Sequence, residues 1–445
     1  MEPIVIAGMA RTPMGGFMGA FSRVSAPELG SAAIAAALTR AGLSGAQVDQ
    51  VVMGNVLPAG LGQAPARQAA IGADLPLSVR CQTVGKVCGS GMQAIMNAHD
   101  TLALGQADIM VAGGMESMSN APYLLEKARA GYRAGHGRVV DHMFLDGLED
   151  AYDKGRAMGT FAEDCATTYQ FTREDQDAYA LQSLDRATRA IASGAFGAEV
   201  TPVGDVTSDE QPSRARPEKI QTLKPAFREG GTVTAANSSS ISDGAAALVL
   251  TRASVAEVQG MKPLAVISGH AGHAQAPGLF TTAPIPAIRK LLDRVGWAVE
   301  DVDLFEINEA FAVVAMAAIR DLGLDPEKVN VNGGACALGH PIGCSGARIV
   351  VTLVAAMQAR GAKKGVASLC IGGGEATALA VELLQGGQHD PDRRPGHDPG
   401  HGAPLRGREA GPEIGRMGQD QAFPQGRDHR AGGAWNAGDA GARSL

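Results

Sequence analysis

Cys88 is the residue of this chain whose setting best suits nucleophilic chemistry. It lies in TVGKVCGSGMQAIM, where a strand-like segment ends at Val87 and a helix is predicted to begin near Gly89. A thiol at a helix N-terminus faces unpaired N–H groups and the positive end of the helix dipole, which lower its pKa and favour the thiolate. Because most free cysteines are ordinary core residues, this segment alone leaves both interpretations open.

His340 is the candidate base. It lies in NGGACALGHPIGCSGAR, directly before a second predicted helix. An imidazole there is able to take the Cys88 proton and give an activated Cys–His pair, whereas a structural histidine in a loop is the alternative. The two other thiols of this segment, Cys336 and Cys344, are interpreted as small packing residues.

Two further predicted strands end in groups that suit the same chemistry. Cys370 precedes IGGG, whose glycine N–H groups are able to turn towards a developing oxyanion. Asn308 and Glu309 follow the strand-like VDLFEI, where burying polar groups without partners is costly. Asn308 suits a role in holding a water or an oxyanion, and capping of the next helix is its structural alternative.

The elements that must position these residues occur twice. Residues 33–54 and 287–308 each contain an amphipathic helix, a glycine exit, a Val-Asp pair and a strand. At nearly the same separation, Ser90-Gly91 aligns with Ser345-Gly346, and each pair opens a helix that leads to a strand. The pattern predicts two copies of one βα-rich unit, with mostly parallel sheets covered by helices.

Four regions are expected along the chain. They are a first half at 1–117, an inserted loop domain at 118–248 that returns to the first half, a second half at 249–385 and a tail at 386–445. Long insertions in compact proteins are usually functional, often as binding elements. The tail lacks apolar periodicity, so we expect disorder. A metal-binding tract is the alternative for its histidines, which are His389, His397, His401 and His429.

Composition excludes several classes of protein. The chain has 445 residues, of which 45% are apolar, and a formal net charge of −7, so it is neither a disordered chain nor one with an electrostatic reason to bind nucleic acid. No apolar run of about 18 residues and no secretory signal are recognised, so no membrane contact is expected. Six cysteines without CxxC or zinc-ligand spacing predict a reducing cytoplasm and no metal site.

Four motifs in order, CGSGMQA, NEAFA, GGACALGHPIGCSGAR and CIGGGEA, closely resemble those of the thiolases, and the likeness spans about residues 3–384. The resemblance implies a five-layered αβαβα fold of the α/β class, built from two similar halves with a loop domain over a coenzyme A site. It implies an acyltransferase of fatty acid metabolism. Such an enzyme catalyses the reversible Claisen condensation of two acetyl-CoA to acetoacetyl-CoA and CoA, or the thiolysis of a 3-ketoacyl-CoA. CoA thioesters are then the substrates, with no bound metal or redox cofactor.

The resemblance also implies a role for each reactive residue. Cys88 carries the acyl group as a thioester, and His340 deprotonates Cys88. His340 and a water held by Asn308 stabilise the oxyanion of the enolate. Cys370 exchanges the proton at the substrate α-carbon. Backbone N–H groups of Cys88 and Gly372 form a second oxyanion hole for the acyl-enzyme.

Substrate contacts are expected from five more residues. By the resemblance, Ser239 contacts pantetheine, and Met158, Ala310 and Phe311 line the acyl pocket. Arg216, in a Pro/Arg-rich loop, is our first choice for a CoA phosphate because a guanidinium suits phosphate geometry, and a solvated loop charge is its alternative.

Two other functions remain to be weighed. A ketoacyl-carrier-protein synthase also uses a cysteine at a helix start, but it needs a second active-site histidine where this chain has Asn308. A non-catalytic binding protein of the same fold is disfavoured because Cys88, His340 and Cys370 are all present. Thiolases are dimers or tetramers, so a homodimer or homotetramer is expected. The direction of flux and the acyl chain length are not determined by the sequence.

Overall fold

The two copies of the repeated unit fold into two β-sheets in the computed structural model, which describes residues 2–384. The strands are β1 (Ile4–Arg11), β2 (Gly15–Gly16), β3 (Gln50–Gly54), β4 (Arg80–Val84), β5 (Ile109–Ser117), β6 (Tyr123–Leu124), β7 (Val140–Asp141), β8 (Ser242–Arg252), β9 (Ala265–Ala274), β10 (Leu304–Ile307), β11 (Lys364–Ile371) and β12 (Glu375–Leu383). The helices are α1 (Ala26–Ala41), α2 (Pro65–Gly72), α3 (Ser90–Ala103), α4 (Met158–Tyr169), α5 (Arg173–Ala192), α6 (Gln211–Arg214), α7 (Ala253–Val258), α8 (Pro284–Val295), α9 (Ala312–Leu322), α10 (Ala335–Leu338) and α11 (Ile342–Arg360).

Strand order shows the repeat directly. One sheet runs β4-β3-β5-β8-β1 and the other β10-β11-β12-β9, and antiparallel pairing of β1 with β9 joins their edges. In both, a parallel pair reached through a crossover helix is followed by an antiparallel strand. The prediction of mostly parallel sheets is therefore wrong, because two of the four strand pairs in the first sheet and two of the three in the second are antiparallel. In the second half, the cause is a tight glycine turn that reverses the chain between β11 and β12.

Helices complete the five αβαβα layers that the resemblance implied. Helix α1 covers the outer face of the first sheet and α8 that of the second, while α3 and α11 pack on each other between the sheets. By length and composition α11 is apolar enough to cross a membrane, but 89% of its apolar stretch is buried inside the protein. Burial between two sheets accounts for this apolarity.

Paired glycines set how closely the two central helices approach. A Cβ on Gly91 would lie 2.8 Å from the amide nitrogen of Ala347, and one on Gly346 would lie 2.4 Å from that of Met92. Only glycine allows this contact of two helix N-termini. The contact brings the turn before α3 close to the loop before α11, so the segments that carry Cys88 and His340 meet at the centre of the molecule.

The inserted segment is anchored to the first half by buried ion pairs. Its long helix α5 begins at the expected N-cap, Thr172, which accepts a hydrogen bond from the backbone N–H of Asp175. Arg11 of β1 is fully buried and binds the carboxylates of Glu199 and Asp209 at 2.6 and 2.7 Å. These charge-assisted contacts fix the end of the insert against the sheet.

The predicted boundary at 249 falls within a strand, and the predicted tail lies outside the described residues. The predicted start of the second half at 249 falls inside β8, which pairs with β1 and β5, and α7 then packs on the same sheet. The second sheet therefore begins with β9. The predicted tail at 386–445, with its histidines, lies outside the described residues.

Candidate active site

Cys88 lies in a strained turn between β4 and α3. The preceding residue, Val87, has φ of +43°, a conformation that a β-branched residue adopts at a cost of about 1–3 kcal/mol. The Ser90 hydroxyl holds the turn, because it donates to the Val87 carbonyl at 2.7 Å and accepts from the Lys86 amide at 2.8 Å. The turn presents the cysteine at the junction of the two halves, where strain of this kind is typical of functional residues.

The expectation of a lowered pKa for Cys88 is wrong. Burial raises the pKa of the Cys88 thiol to about 11, and the nearby Glu116 carboxylate raises it further. A hydrogen bond from the Gly372 N–H to the sulfur acts in the opposite direction but does not offset burial. In the free protein Cys88 is therefore a thiol, and it needs a base to become a nucleophile.

His340 has the properties of that base. It is buried, and burial first and the Arg348 charge second lower the pKa of His340 to about 3, so the imidazole is neutral. Its Nδ1 lies 2.5 Å from the Ser345 hydroxyl, which also lies 3.0 Å from the Pro341 carbonyl. With the Ser345 proton directed at Pro341, Nδ1 donates to Ser345 and Nε2 keeps its lone pair, so the 3.5 Å approach of Asn308 Nδ2 to Nδ1 is a packing contact and not a hydrogen bond. Nε2 is buried and has no hydrogen-bond partner within residues 2–384.

Asn308 stands beside His340 at the end of β10. Its backbone N–H donates to the Ser368 carbonyl of β11, and its side-chain Nδ2 contacts Nδ1 of His340 at 3.5 Å. Its Oδ1 is buried and unpaired among the described side chains. Since α9 begins only at Ala312, Asn308 is not that helix's cap. Two orphaned polar atoms on adjacent side chains mark a polar space for a water or a ligand oxygen.

Cys370 brings a second sulfur to the same place. It ends β11 almost fully buried, and burial first and the neighbouring Cys88 second raise the pKa of Cys370 well above its ordinary value. The turn that follows requires glycine: Gly373 and Gly374 have φ of +91° and +90°, and a Cβ on Gly374 would lie 2.4 Å from a backbone oxygen. This turn directs the N–H of Gly372 at the Cys88 sulfur.

The predicted acyl-pocket residues form one wall of the site. Met158 begins α4, and its methyl group would lie 3.3 Å from a Cβ on Gly372. Phe311 is buried and makes an edge-to-face contact with Phe227, with ring centroids 6.0 Å apart. Ala310, also predicted, is buried beside Phe311.

Phe227 is a wall residue that sequence reasoning missed. It lies in the inserted loop, in KPAFREG, and no periodicity marks it. A Cβ on Gly159 would lie 2.3 Å from its ring, so the glycine after Met158 is the one signal that an aromatic side chain packs there.

The two residues predicted to contact CoA, Ser239 and Arg216, lie in different surroundings. Ser239 adjoins the pocket, because its N–H and its hydroxyl both donate to the Ala310 carbonyl, at 3.0 and 2.9 Å. Arg216 is exposed at the start of the 3₁₀ turn Pro217–Thr222, which packs on α5. Ser239 therefore lies beside the buried cluster, and Arg216 lies on the surface of the insert, where its contact with a CoA phosphate stays a prediction.

Glu309 is a positioning residue that was noted in the sequence without a role. Its carboxylate accepts hydrogen bonds from Tyr179, Ser183, Asn330 and the Cys336 amide at 2.8–3.0 Å. These partners belong to α5 and to the loop before His340, so the residue next to Asn308 joins the insert to the catalytic loop. Burial and the Glu309 charge raise the pKa of Cys336 well above its ordinary value, which agrees with a packing thiol.

Comparison with known proteins gives matches along the whole described chain. Residues 4–254 match the family "Thiolase, N-terminal domain" and residues 261–383 match "Thiolase, C-terminal domain". The chain is 54% identical over 392 residues to acetyl-CoA acetyltransferase 2 of Arabidopsis thaliana, covering 86% of this chain and 97% of that protein. It is 50% identical over 394 residues to acetyl-CoA acetyltransferase of Escherichia coli strain K12, covering 86% and 100%.

Two solved structures also match the fold of this chain. The crystal structure of the Acat5 thiolase from Ascaris suum in complex with coenzyme A has a TM-score of 0.83 and 43% identity, and the match covers 86% of this chain and 100% of that one. The Bacillus anthracis acetyl-CoA acetyltransferase has a TM-score of 0.84 and 42% identity, covering 86% and 99%.

Proposed function

The chain belongs to the thiolase family, and we propose that it is an acyltransferase that condenses two acetyl-CoA molecules reversibly to acetoacetyl-CoA and CoA. One observation carries the proposal. The half-buried Cys88 and the buried Cys370 are neighbouring thiols, Cys88 accepts a hydrogen bond from the Gly372 N–H, and the loop packed near this turn carries the buried, neutral His340 with an unpaired Nε2.

Acylation of Cys88 is the first half of the reaction. His340 Nε2 accepts the thiol proton as the sulfur attacks the carbonyl of acetyl-CoA. The N–H groups of Gly372 and Cys88 stabilise the oxyanion that develops, in a site that excludes water. When the carbonyl reforms, the C–S bond to CoA breaks, and the leaving CoA thiolate takes the proton of the neighbouring Cys370 thiol, which leaves Cys370 as a thiolate and His340 protonated.

Carbon–carbon bond formation is the second half. Cys370 as thiolate removes an α-proton from a second acetyl-CoA, and its raised pKa makes it a stronger base for a weak carbon acid. The enolate oxygen is stabilised by His340 and by a water on Asn308. The carbanion attacks the acetyl-Cys88 thioester and expels the Cys88 thiolate, which takes its proton back from His340. Cys370 keeps the α-proton, so both thiols and the neutral imidazole are restored. Two sulfurs are required because one holds the acyl group while the other takes the proton.

Acetyl transfer to Cys88 is the decisive test. The rate of acetoacetyl-CoA thiolysis should fall by more than about 10³-fold in Cys88→Ala, and this variant should not be labelled by radioactive acetyl-CoA. Cys165→Ala is the matched control, because it removes another buried thiol, on α4 near Cys370, that no step of the reaction uses, and it should keep both activities. Labelling of Cys88→Ala at the wild-type level would contradict the proposal.

Cys370→Ala separates the two halves of the reaction. It should still become acetylated by acetyl-CoA, but it should not condense. If it condenses at the wild-type rate, another group is the carbon base. Absence of both reactions in the wild-type protein would favour a non-catalytic binding protein, and acceptance of an acyl group from carrier protein but not from CoA would favour a ketoacyl synthase.

Short acyl chains and a place in fatty acid metabolism are part of the proposal. Met158 lies beside Gly372, and Phe227 packs on the adjacent Gly159 and on Phe311, so bulky side chains line this wall and favour an acetyl or similarly short group. Thiolysis rates for 3-ketoacyl-CoA substrates of increasing length test this preference. In Phe227→Ala, the thiolysis rate on the next longer substrates should rise about tenfold relative to that on acetoacetyl-CoA.

We further propose a homotetramer in the cytoplasm. Strand β4 is the edge of its sheet and is largely exposed, which suits antiparallel pairing with a second copy. The arm around β6 and β7 exposes Tyr123, Leu125 and Val139, a surface that suits contact between dimers. Sedimentation of the wild-type protein should give a tetramer, and sedimentation of Leu125→Asp should give a dimer.

The proposed cytoplasmic location is supported by the cysteines between positions 81 and 370, which are free thiols that a reducing compartment maintains. Cell fractionation tests this location.

A further inference from the structure

Three metal-ligating side chains meet at the end of α3 opposite to Cys88. His99 and Asp100 lie near the C-terminus of this helix, and His270 lies on β9 of the second half. His99 lies about 13.5 Å along the helix axis from Ser90, the first residue of α3, at a rise of about 1.5 Å per residue. The cluster is therefore outside the catalytic centre.

The donor atoms of the cluster form a small triangle. Nε2 of His270 lies 2.9 Å from Oδ1 of Asp100 and 3.2 Å from Nδ1 of His99, and the third side, from His99 to Asp100, is 3.0 Å. Ligands of a tetrahedral zinc site, each about 2.0–2.1 Å from the metal, lie about 3.3 Å from one another. The triangle thus approximates one face of a zinc coordination sphere without movement of the backbone.

The same three atoms suit either protons or a metal ion. Each imidazole is able to donate an N–H to Oδ1 of Asp100, because a carboxylate oxygen accepts two hydrogen bonds. When those two nitrogens lose their protons, the triangle offers two imidazole lone pairs and one carboxylate oxygen. A cation that replaces the protons is able to accept all three donor atoms.

Access and orientation also suit a bound ion. The side chain of Asp100 is 60% exposed, whereas those of His99 and His270 are 19% and 13% exposed, so a cation has an entry path and a fourth position open to water. The two rings are nearly perpendicular, at 87°, so neither covers the other's nitrogen. Arg294 donates to the main-chain carbonyl of His270 and holds that segment of β9 in place.

We propose that His99, Asp100 and His270 form a three-ligand site for a divalent transition-metal cation of the Zn²⁺ type. Two imidazoles select such a cation over Mg²⁺ or Ca²⁺, which prefer all-oxygen sites. The ligands come from both halves, so the ion links α3 to β9 and stabilises the folded chain. The site is structural, because no reacting group lies in it.

Zinc content is the first test. Full-length wild-type protein, His270→Gln and Asp100→Asn are dialysed against Zn²⁺ and the metal per chain is measured. Wild type should bind one ion more than either variant. His273→Gln is the matched control, because His273 lies on the same strand but contacts Gln275 and Lys290 instead. Other histidines of the chain contribute equally to all four proteins, so the difference reports on the cluster.

Thermal unfolding is the second test. At free Zn²⁺ about 100-fold above its dissociation constant, the folding equilibrium of wild type and of His273→Gln should shift about 100-fold towards the folded state. His270→Gln should not respond, and its metal-free unfolding temperature shows whether it folds. Equal zinc content in wild type and His270→Gln, or no zinc-dependent shift in wild type, would overturn the proposal. Thiolysis activity should not change with zinc removal.

Discussion

At the scale of residues, burial determines the resting state of the catalytic pair. It raises the pKa of Cys88 to about 11 and lowers that of His340 to about 3, because both shifts remove a charge from a dry site. The pair therefore rests as thiol and imidazole, and the proton moves only as substrate arrives. Ser345 decides which nitrogen of His340 is free to take it.

Ser345→Ala should reduce kcat by about 10²-fold and leave KM nearly unchanged, because Nδ1 loses the partner that fixes the tautomer and the ring. The pH–rate profile should change as well, which a purely structural role would not produce. Ser117→Ala removes a comparable buried hydroxyl, bonded to the Val24 carbonyl, and is the control. A wild-type kcat and pH profile for Ser345→Ala would show that another group orients His340.

Alkylation of Cys88 by iodoacetamide in the free protein should keep accelerating as pH rises above about 8.5, the ordinary thiol pKa. The raised pKa means that the thiolate, which is the reactive form, is still a minor species there. Inactivation rates measured from pH 7 to pH 10 check this, with Cys88→Ser as the control for reaction at other thiols. A plateau near pH 7 would mean that the thiolate is already formed at rest.

At the scale of elements, the site depends on turns and helix starts rather than on helix interiors. Ser90 and Ser345 are equivalent in the repeat, and each hydroxyl closes the turn before its helix. In the first copy this turn carries the nucleophile, and in the second it carries the base. Duplication of one helix start thus gave two different catalytic residues on opposite sides of one pocket.

Gly346→Ala should lower both stability and activity. The added methyl group would overlap the Met92 amide at 2.4 Å, and separating α11 from α3 costs about 1–3 kcal/mol and moves His340 away from Cys88. Chemical denaturation and thiolysis assays measure the two effects. Gly272→Ala on β9 is the control, because its Cβ would meet only a backbone oxygen at 3.9 Å. Full activity in Gly346→Ala would show that the helix contact does not position the pair.

At the scale of the whole molecule, two sheets and one central helix layer enclose the chemistry. Every residue of the cluster lies within the segment from Cys88 to Gly372, and the last strand ends at Leu383. The insert reaches the pocket through Met158 and Phe227, so the scaffold supplies the reacting groups while the insert supplies the wall.

A chain that ends at Leu384 should therefore keep its unfolding temperature within a few degrees and its thiolysis rate within about twofold of the full-length protein. The truncated and full-length proteins are compared by calorimetry and by assay at equal concentration. A lower unfolding temperature or a lost activity would mean that residues beyond 384 contact the catalytic core.

The sequence by itself determined the doubled βα architecture, because apolar periodicity and glycine exits are local properties of the chain. It also marked Cys88, His340, Cys370 and Asn308 as candidates, because reactive side chains at the ends of predicted elements are visible without coordinates, and the family motifs then implied a role for each. It could not predict the mixed strand directions, which depend on where a returning strand finds an open sheet edge.

Only the tertiary structure decided the charge state and surroundings of these residues. The helix N-terminus suggested a thiolate at Cys88, but burial between the two halves outweighs the dipole and keeps a thiol. Phe227 packs against Phe311, and His270 meets His99 across the two halves. Desolvation and long-range contact depend on what packs around a residue, and the chain's local pattern does not contain that information.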